Sequence, residues 1–158
     1  MAKKDLTVFE IKDYKTYDKE GNLNEGIREL NIDKYIELVR SASHSEVLDY
    51  ISKSKAIILL SRYEGQSMFV TESISLGKPL ILTSGNGMSD LIIDGLNGFL
   101  TKVGDSIETA KVLSKVMELD QNQIKKMGEK SREIYNRNFS QLAVYNQFDC
   151  LMELRDRN

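Results

Sequence analysis

Residues Ala56 to Gly87 read AIILLSRYEGQSMFVTESISLGKPLILTSGNG, and their reading decides the fold. Ala56-Ile57-Ile58-Leu59-Leu60 is a short apolar run, the pattern of a strand buried on both faces. Ser61 to Gly65 follows as a loop. Ser67 to Leu76 has helical spacing and stops at Gly77, where a helix C-terminus favours glycine. Pro79 to Thr83 is a second buried strand, with its proline at the first position, where no ladder bond is lost. A glycine-bearing loop, Ser84 to Met88, comes next.

The same alternation continues on both sides. Upstream, Leu6–Phe9 reads as a strand, and Lys12 to Gly26 as a polar, flexible loop with a turn at Gly21-Asn22. A short helix is expected over Glu25–Leu30, and Tyr35–Val39 alternates like an edge strand. Ser43-His44-Ser45-Glu46 is a capping box, opening a helix to about Ser54 with Val47, Leu48 and Ile51 inward. Downstream, a short helix from Ser89 to Ile93 ends at Gly95, and Asn97-Gly98 turns the chain into the strand Phe99–Thr101. From Ser106 onward the pattern is helical. The first helix runs from Ile107 to Leu119; the second, capped by Asp120 with Gln123, runs to about Asn138. Ser140 caps the third, where Leu142, Tyr145, Phe148 and Met152 form one stripe.

Strands alternating with helices predict an α/β fold: a doubly wound, mainly parallel sheet of about five strands with a helical C-terminal tail. One domain over 1–158 is expected, with the sheet region at 5–105 and helices at 106–158. The expected strand order is Tyr35–Val39, Leu6–Phe9, Ala56–Leu60, Pro79–Thr83, Phe99–Thr101. In it the apolar Leu6–Phe9 lies beside Ala56–Leu60 and leaves no central backbone groups unpaired.

Bulk properties narrow the function. With 41% hydrophobic and 29% charged residues, the 158-residue chain has the make-up of one soluble globular domain. A net charge of −2 supplies no field for nucleic acid. The one cysteine, Cys150, has no internal partner for a disulfide and suits a reducing compartment. No apolar run reaches the length of a transmembrane segment, and Met1 to Asp5 lacks the apolar core of a signal peptide. A cytoplasmic protein is expected, with any work at the inner face of the membrane depending on parts outside this chain.

Two carboxylates stand out. Glu64 follows the carboxyl end of a strand, where open parallel sheets place their ligands. Glu72 lies among Met68, Phe69 and Leu76 on a helical wheel, so it is expected to point into an apolar arc and to need a partner there. The residues alone leave open a pair with Lys78 or a partly wet rim position. Gly65 would let a phosphate approach the backbone, and the N–H groups at the start of the Ser67 helix favour an anion. Gly85-Asn86-Gly87 offers a second approach, although taken alone it is better read as a tight turn. His44 and Arg62 read as surface residues, Tyr63 equally as a rim residue or one packed beside a ligand, and no His, Cys or Asp cluster has metal-ligand spacing.

Glu64, seven residues, then Glu72, within SRYEGQSMFVTESISLGKPLILT, resembles the donor-site signature of retaining GT-B glycosyltransferases of family 4, the glycosyl transferases group 1. The resemblance continues through Asp94-Gly95-Leu96-Asn97-Gly98-Phe99-Leu100 to Met127-Gly128 and Phe139-Ser140, covering about Leu6 to Leu154. It implies one half of a GT-B fold, a Rossmann-like domain that binds a nucleotide-sugar donor for transfer to an acceptor. Cell-envelope polysaccharide or glycoconjugate synthesis is the setting it suggests. By the resemblance, Glu72 would accept hydrogen bonds from the donor ribose, and Glu64 would be the catalytic residue at the transferred sugar. Gly65, Gln66 and Ser67, with Gly85 and Gly87, would hold the diphosphate. No metal or other cofactor is required. The family's acceptor domain, the first strand of its donor domain, and a phosphate-neutralising Arg and Lys have no counterpart here. A truncated donor domain is therefore expected, inactive without an acceptor domain fused elsewhere or supplied by a partner subunit. The alternative is a non-catalytic nucleotide or nucleotide-sugar binding module, or an inactive remnant of such an enzyme.

Overall fold

The computed structural model describes residues 6–9, 28–32, 34–39 and 41–155. The loop expected over Lys12–Gly26 lies outside them, as does the start of the helix expected over Glu25–Leu30, of which Arg28 and Glu29 are helical. The chain divides into two compact units, residues 1–47 and 48–158.

In the first unit β1 (Leu6–Phe9) and β2 (Ile36–Val39) pair in parallel, with Leu6 opposite Ile36 and Phe9 opposite Val39. The expected capping box forms at the start of α1 (His44–Lys53): the Ser43 N–H donates to Glu46 Oε2 at 2.7 Å, and the Glu46 N–H to Ser43 Oγ at 3.4 Å.

The second unit is built on β4 (Leu80–Thr83), buried at every position. It pairs in parallel with β3 (Ile57–Leu59) on one side and β5 (Gly98–Thr101) on the other. Gly98 is required where it stands opposite Leu80, because a Cβ there would be 2.2 Å from the Leu80 carbonyl oxygen. The crossover helix α2 (Met68–Ser75) buries Val70, Ser73 and Ile74, the i, i+3, i+4 set of one face. It ends in a Schellman motif: the Gly77 N–H donates to Ile74 O and the Lys78 N–H to Ser73 O, both at 3.0 Å, with Gly77 at φ +68°.

Helices α3 (Ser106–Glu118), α4 (Gln121–Asn138) and α5 (Gln141–Arg155) complete the unit. Asp105 caps α3, and Asp120 with Gln123 forms the full capping box of α4. Ile81, Phe99, Val116 and Met127 form a core where β4, β5, α3 and α4 meet. Gly128 lets α4 press against the end of α2, since a Cβ on it would be 2.2 Å from the Gly77 carbonyl. On α5 the stripe of Leu142, Tyr145, Phe148 and Met152 is exposed.

Two expectations need correction. Among the described residues there are five strands, parallel within each sheet, and they form separate sheets of two and three strands. Among the described residues Leu6–Phe9 pairs with Ile36–Val39 alone and makes no ladder with Ile57–Leu59. Apolarity shows that a strand is sheltered; it does not say against which strand, so it could not settle this pairing. For the same reason Ala56–Leu60 is not buried on both faces. Only Ile57 is buried, and Leu60 is exposed.

Candidate functional site

Parallel strands carry their following loops off the same, carboxyl end of the sheet, so the loops after adjacent strands run side by side. The loop after β3, Leu60 to Gln66, and the loop after β4, Ser84 to Met88, are joined in this way. Glu64 and Asn86 form a parallel bridge, and the Gly87 N–H donates to the Glu64 carbonyl at 2.8 Å. A Cβ on Gly87 would lie 2.6 Å from the Gly65 carbonyl and 2.7 Å from that of Glu64. Glycine at 87 is thus required by loop-to-loop contact. At Gly85 a Cβ would be 3.1 Å from the Arg62 carbonyl, a tight but less severe fit.

Ser67 is the N-cap of α2, extended at φ −87°, ψ 118°, and its side chain caps no N–H. The Ser67 N–H donates instead to Met88 Sδ, at 3.1 Å and buried. No acidic residue lies in the first turn of α2. The amides of Gly65 and Gln66, just before the cap, donate to no described residue, and a Cβ on Gly65 would meet nothing within 4 Å. Two N–H groups therefore stand just ahead of the N-terminus of α2 with no internal acceptor among the described residues, an arrangement suited to an anion.

Glu64 and Glu72 are both half-buried and flank this turn in sequence. Glu72 lies five residues past the N-cap, about 7.5 Å along the helix axis. On its helical face Glu72 is flanked by Phe69 and Leu76, both half-buried like itself, and by Met68, which is 73% exposed, while the buried face of α2 belongs to Val70, Ser73 and Ile74. Apolar residues lie almost all round this helix, so periodicity could not choose the face; the seat of α4 against its end does. Lys78 donates to the carbonyls of Ser52 at 2.7 Å and Ser54 at 2.8 Å, closing the C-terminus of α1. Burial holds its ammonium below the usual lysine range. Arg62 and His44 are exposed, as read from the sequence, and Tyr63 is exposed as well.

Two residues of the loop escaped sequence reasoning. Asn86 is 2% exposed, and its Oδ1 accepts the Met88 N–H at 2.9 Å, an Asx-turn. Met88 is buried and carries the sulfur that receives the Ser67 N–H. The signal for the first was present: an Asn between two glycines, where an Asx-turn is common. Nothing marks Met88 locally. Among the described residues no three His, Cys, Asp or Glu side chains are grouped to hold a metal ion, and no helix is long and apolar enough to cross a membrane.

Comparison with known proteins adds independent findings. The sequence model of the family described as "Glycosyl transferases group 1" matches residues 12–134. An uncharacterized glycosyltransferase of Methanocaldococcus jannaschii is 32% identical over 108 residues, 67% of this chain and 30% of that protein. The N-acetyl-alpha-D-glucosaminyl L-malate synthase of Bacillus anthracis is 27% identical over 105 residues, 66% of this chain and 27% of that protein. The chain thus spans less than a third of the length of these relatives. Among solved structures, sucrose-phosphate synthase from Thermosynechococcus elongatus superposes with a TM-score of 0.73 at 20% identity, over 85% of this chain and 33% of that one. HepE of Anabaena in complex with UDP-glucose superposes with a TM-score of 0.70 at 19% identity, over 83% of this chain and 35% of that one.

Proposed function

The chain belongs to the glycosyl transferases group 1 family, with the architecture of one part of a GT-B glycosyltransferase, and from that premise we propose that it forms the nucleotide-sugar-binding portion of a retaining, family 4 enzyme. One observation supports this reading most. Among the described residues the Gly65 and Gln66 amides have no internal acceptor, and they lie just ahead of a helix N-terminus, with a half-buried carboxylate close in sequence on either side. A donor's diphosphate is the anion suited to those amides. Its ribose hydroxyls, a few bonds away, suit the two oxygens of Glu72. Glu64 then takes the hydroxyls of the transferred sugar beside the reacting carbon.

The chemistry follows from charge. As the bond between the sugar and the diphosphate breaks, negative charge grows on the leaving phosphate oxygens. N–H donors already aimed at those oxygens stabilise the transition state without reorganising. The Ser67 amide is engaged by Met88 Sδ, so the contribution falls on Gly65 and Gln66. In this reading Gly85 and Gly87 keep the second loop's backbone close to the same phosphates. The acceptor is held by sequence outside this chain, and the isolated chain does not transfer sugar. Positioning two reactants together accounts for roughly 7–11 kcal/mol in favourable cases, and one side of a cleft does not provide it. The scheme uses no metal. A cytoplasmic setting and a role in cell-envelope polysaccharide or glycoconjugate synthesis complete the proposal.

Calorimetric titration with UDP, GDP, ADP and CDP, each alone and as a sugar conjugate, tests it. One base is expected to bind, with its sugar conjugate at least as tight. No binding by any of the eight would overturn the reading.

A further inference from the structure

We propose that Asn86 is the positioning residue of this site, fixing Glu64 and the phosphate-binding amides through the loop after β4; the inference rests on the donor-site reading above. The segment from Glu64 to Ser67 is anchored at both ends onto the segment from Asn86 to Met88. At one end the Glu64 carbonyl receives the Gly87 N–H at 2.8 Å and Glu64 is bridged to Asn86. At the other, the Ser67 N–H reaches Met88 Sδ at 3.1 Å. The Gly65 and Gln66 amides lie between these two anchors.

Asn86 holds both anchors in register. Its backbone N–H donates to the Thr83 carbonyl at 3.0 Å, tying it to the end of the buried strand β4. Its carbonyl receives the Ser89 N–H at 2.9 Å, at the start of the 3₁₀ turn Ser89–Leu91. Its Oδ1 receives the Met88 N–H at 2.9 Å and so sets the direction in which Met88 leaves the turn towards Ser67. The Nδ2 of the same side chain is buried without a hydrogen-bond partner among the described residues. An amide group left in that state does not favour folding. The position therefore uses the oxygen of Asn86, as the brace of a turn. A braced turn is a preorganised one, and preorganisation shows as affinity for a ligand that needs all the groups at once.

Two variants and two readouts decide it. Asn86→Ala removes the brace, and Asn86→Ser restores a weaker oxygen acceptor in the same turn. In the ligand-free chain, amide hydrogen exchange at Gly87 and Ser67 should quicken about tenfold or more in Asn86→Ala, while the Ile81 and Leu82 amides of β4 stay protected. Nucleotide-sugar affinity should fall by about tenfold in the same variant, and Asn86→Ser should recover most of both effects. Unchanged exchange at Gly87 and Ser67 would overturn the proposal, as would a uniform rise through β4 and β5, the mark of a purely structural role. Changed exchange with unchanged nucleotide-sugar affinity would also overturn it. Should the wild type bind no nucleotide sugar, the donor-site reading fails, and the Asn86 proposal with it; the exchange data then show only whether Asn86 braces the turn. Met88→Leu keeps the packing volume and removes the sulfur, so it should release the Ser67 amide alone. If Asn86→Ala does not fold, unchanged exchange at Ser67 in Met88→Leu overturns the two-anchor account.

Discussion

Gly87 donates its N–H to the Glu64 carbonyl at 2.8 Å, and a Cβ on Gly87 would stand 2.7 Å from that same oxygen. One contact thus joins the two loops and forbids a side chain at the join. Gly87→Ala should lower stability by roughly 1–3 kcal/mol, because backbone on both sides must move apart. Gly65→Ala, where the added methyl meets nothing within 4 Å, should change stability by no more than about 0.5 kcal/mol. Denaturant unfolding of the two variants checks the contrast. A stable Gly65→Ala chain with weakened nucleotide binding would support close approach of a phosphate at Gly65.

The seat of α4 on α2 gives a second prediction. A methyl on Gly128 would be 2.2 Å from the Gly77 carbonyl oxygen, which terminates α2. Gly128→Ala should therefore cost at least about 2 kcal/mol and lower the midpoint of thermal unfolding. An unchanged midpoint would mean that the two helices separate without penalty.

Acid should loosen the start of α1. Glu46 accepts from both the N–H and the hydroxyl of Ser43, and these bonds hold its carboxyl below the usual glutamate value of 4.5. A depressed carboxylate pKa contributes stability that is present above 4.5 and is lost as pH falls through the folded-state value. The protection factor of the Ser43 amide, its exchange measured against the intrinsic rate at each pH, should fall in that acid window, and Glu46→Gln should flatten the change.

Lys78 acts at the other end of the scale. Burial holds its pKa below the ordinary 10.5, so between the folded value and 10.5 the unfolded chain carries more protons than the folded one. Its contribution to stability is fully present above 10.5 and falls away as pH drops through the folded value. Lys78→Met should remove this alkaline rise and also release the Ser52 and Ser54 carbonyls. Unfolding curves collected across the alkaline range test the sign.

Local chemistry was the most legible part of the sequence. The caps at Ser43 and Asp120, and Gly77 as the end of α2, all stand where their residue types place them. These features depend on neighbours a few residues away. The Leu6–Phe9 ladder and the choice of Val70, Ser73 and Ile74 as the buried face of α2 depend on distant partners, and apolar content does not encode those. At the site, Glu64 and Gly65 could be located because a loop after a parallel strand has a known position. Asn86 and Met88 could not be ranked, because their importance comes from Glu64 and Ser67 arriving beside them.

Calorimetric titration of the nucleoside diphosphate that binds, into wild type and Glu72→Gln, tests the central claim most directly. The substitution preserves shape and removes the charge that receives the ribose hydroxyls. Hydrogen bonds to a charged group contribute about 1.5–3 kcal/mol, so affinity should fall by roughly tenfold or more with the unfolding midpoint unchanged. Equal affinity in the two proteins would remove Glu72 from the ribose and contradict the account.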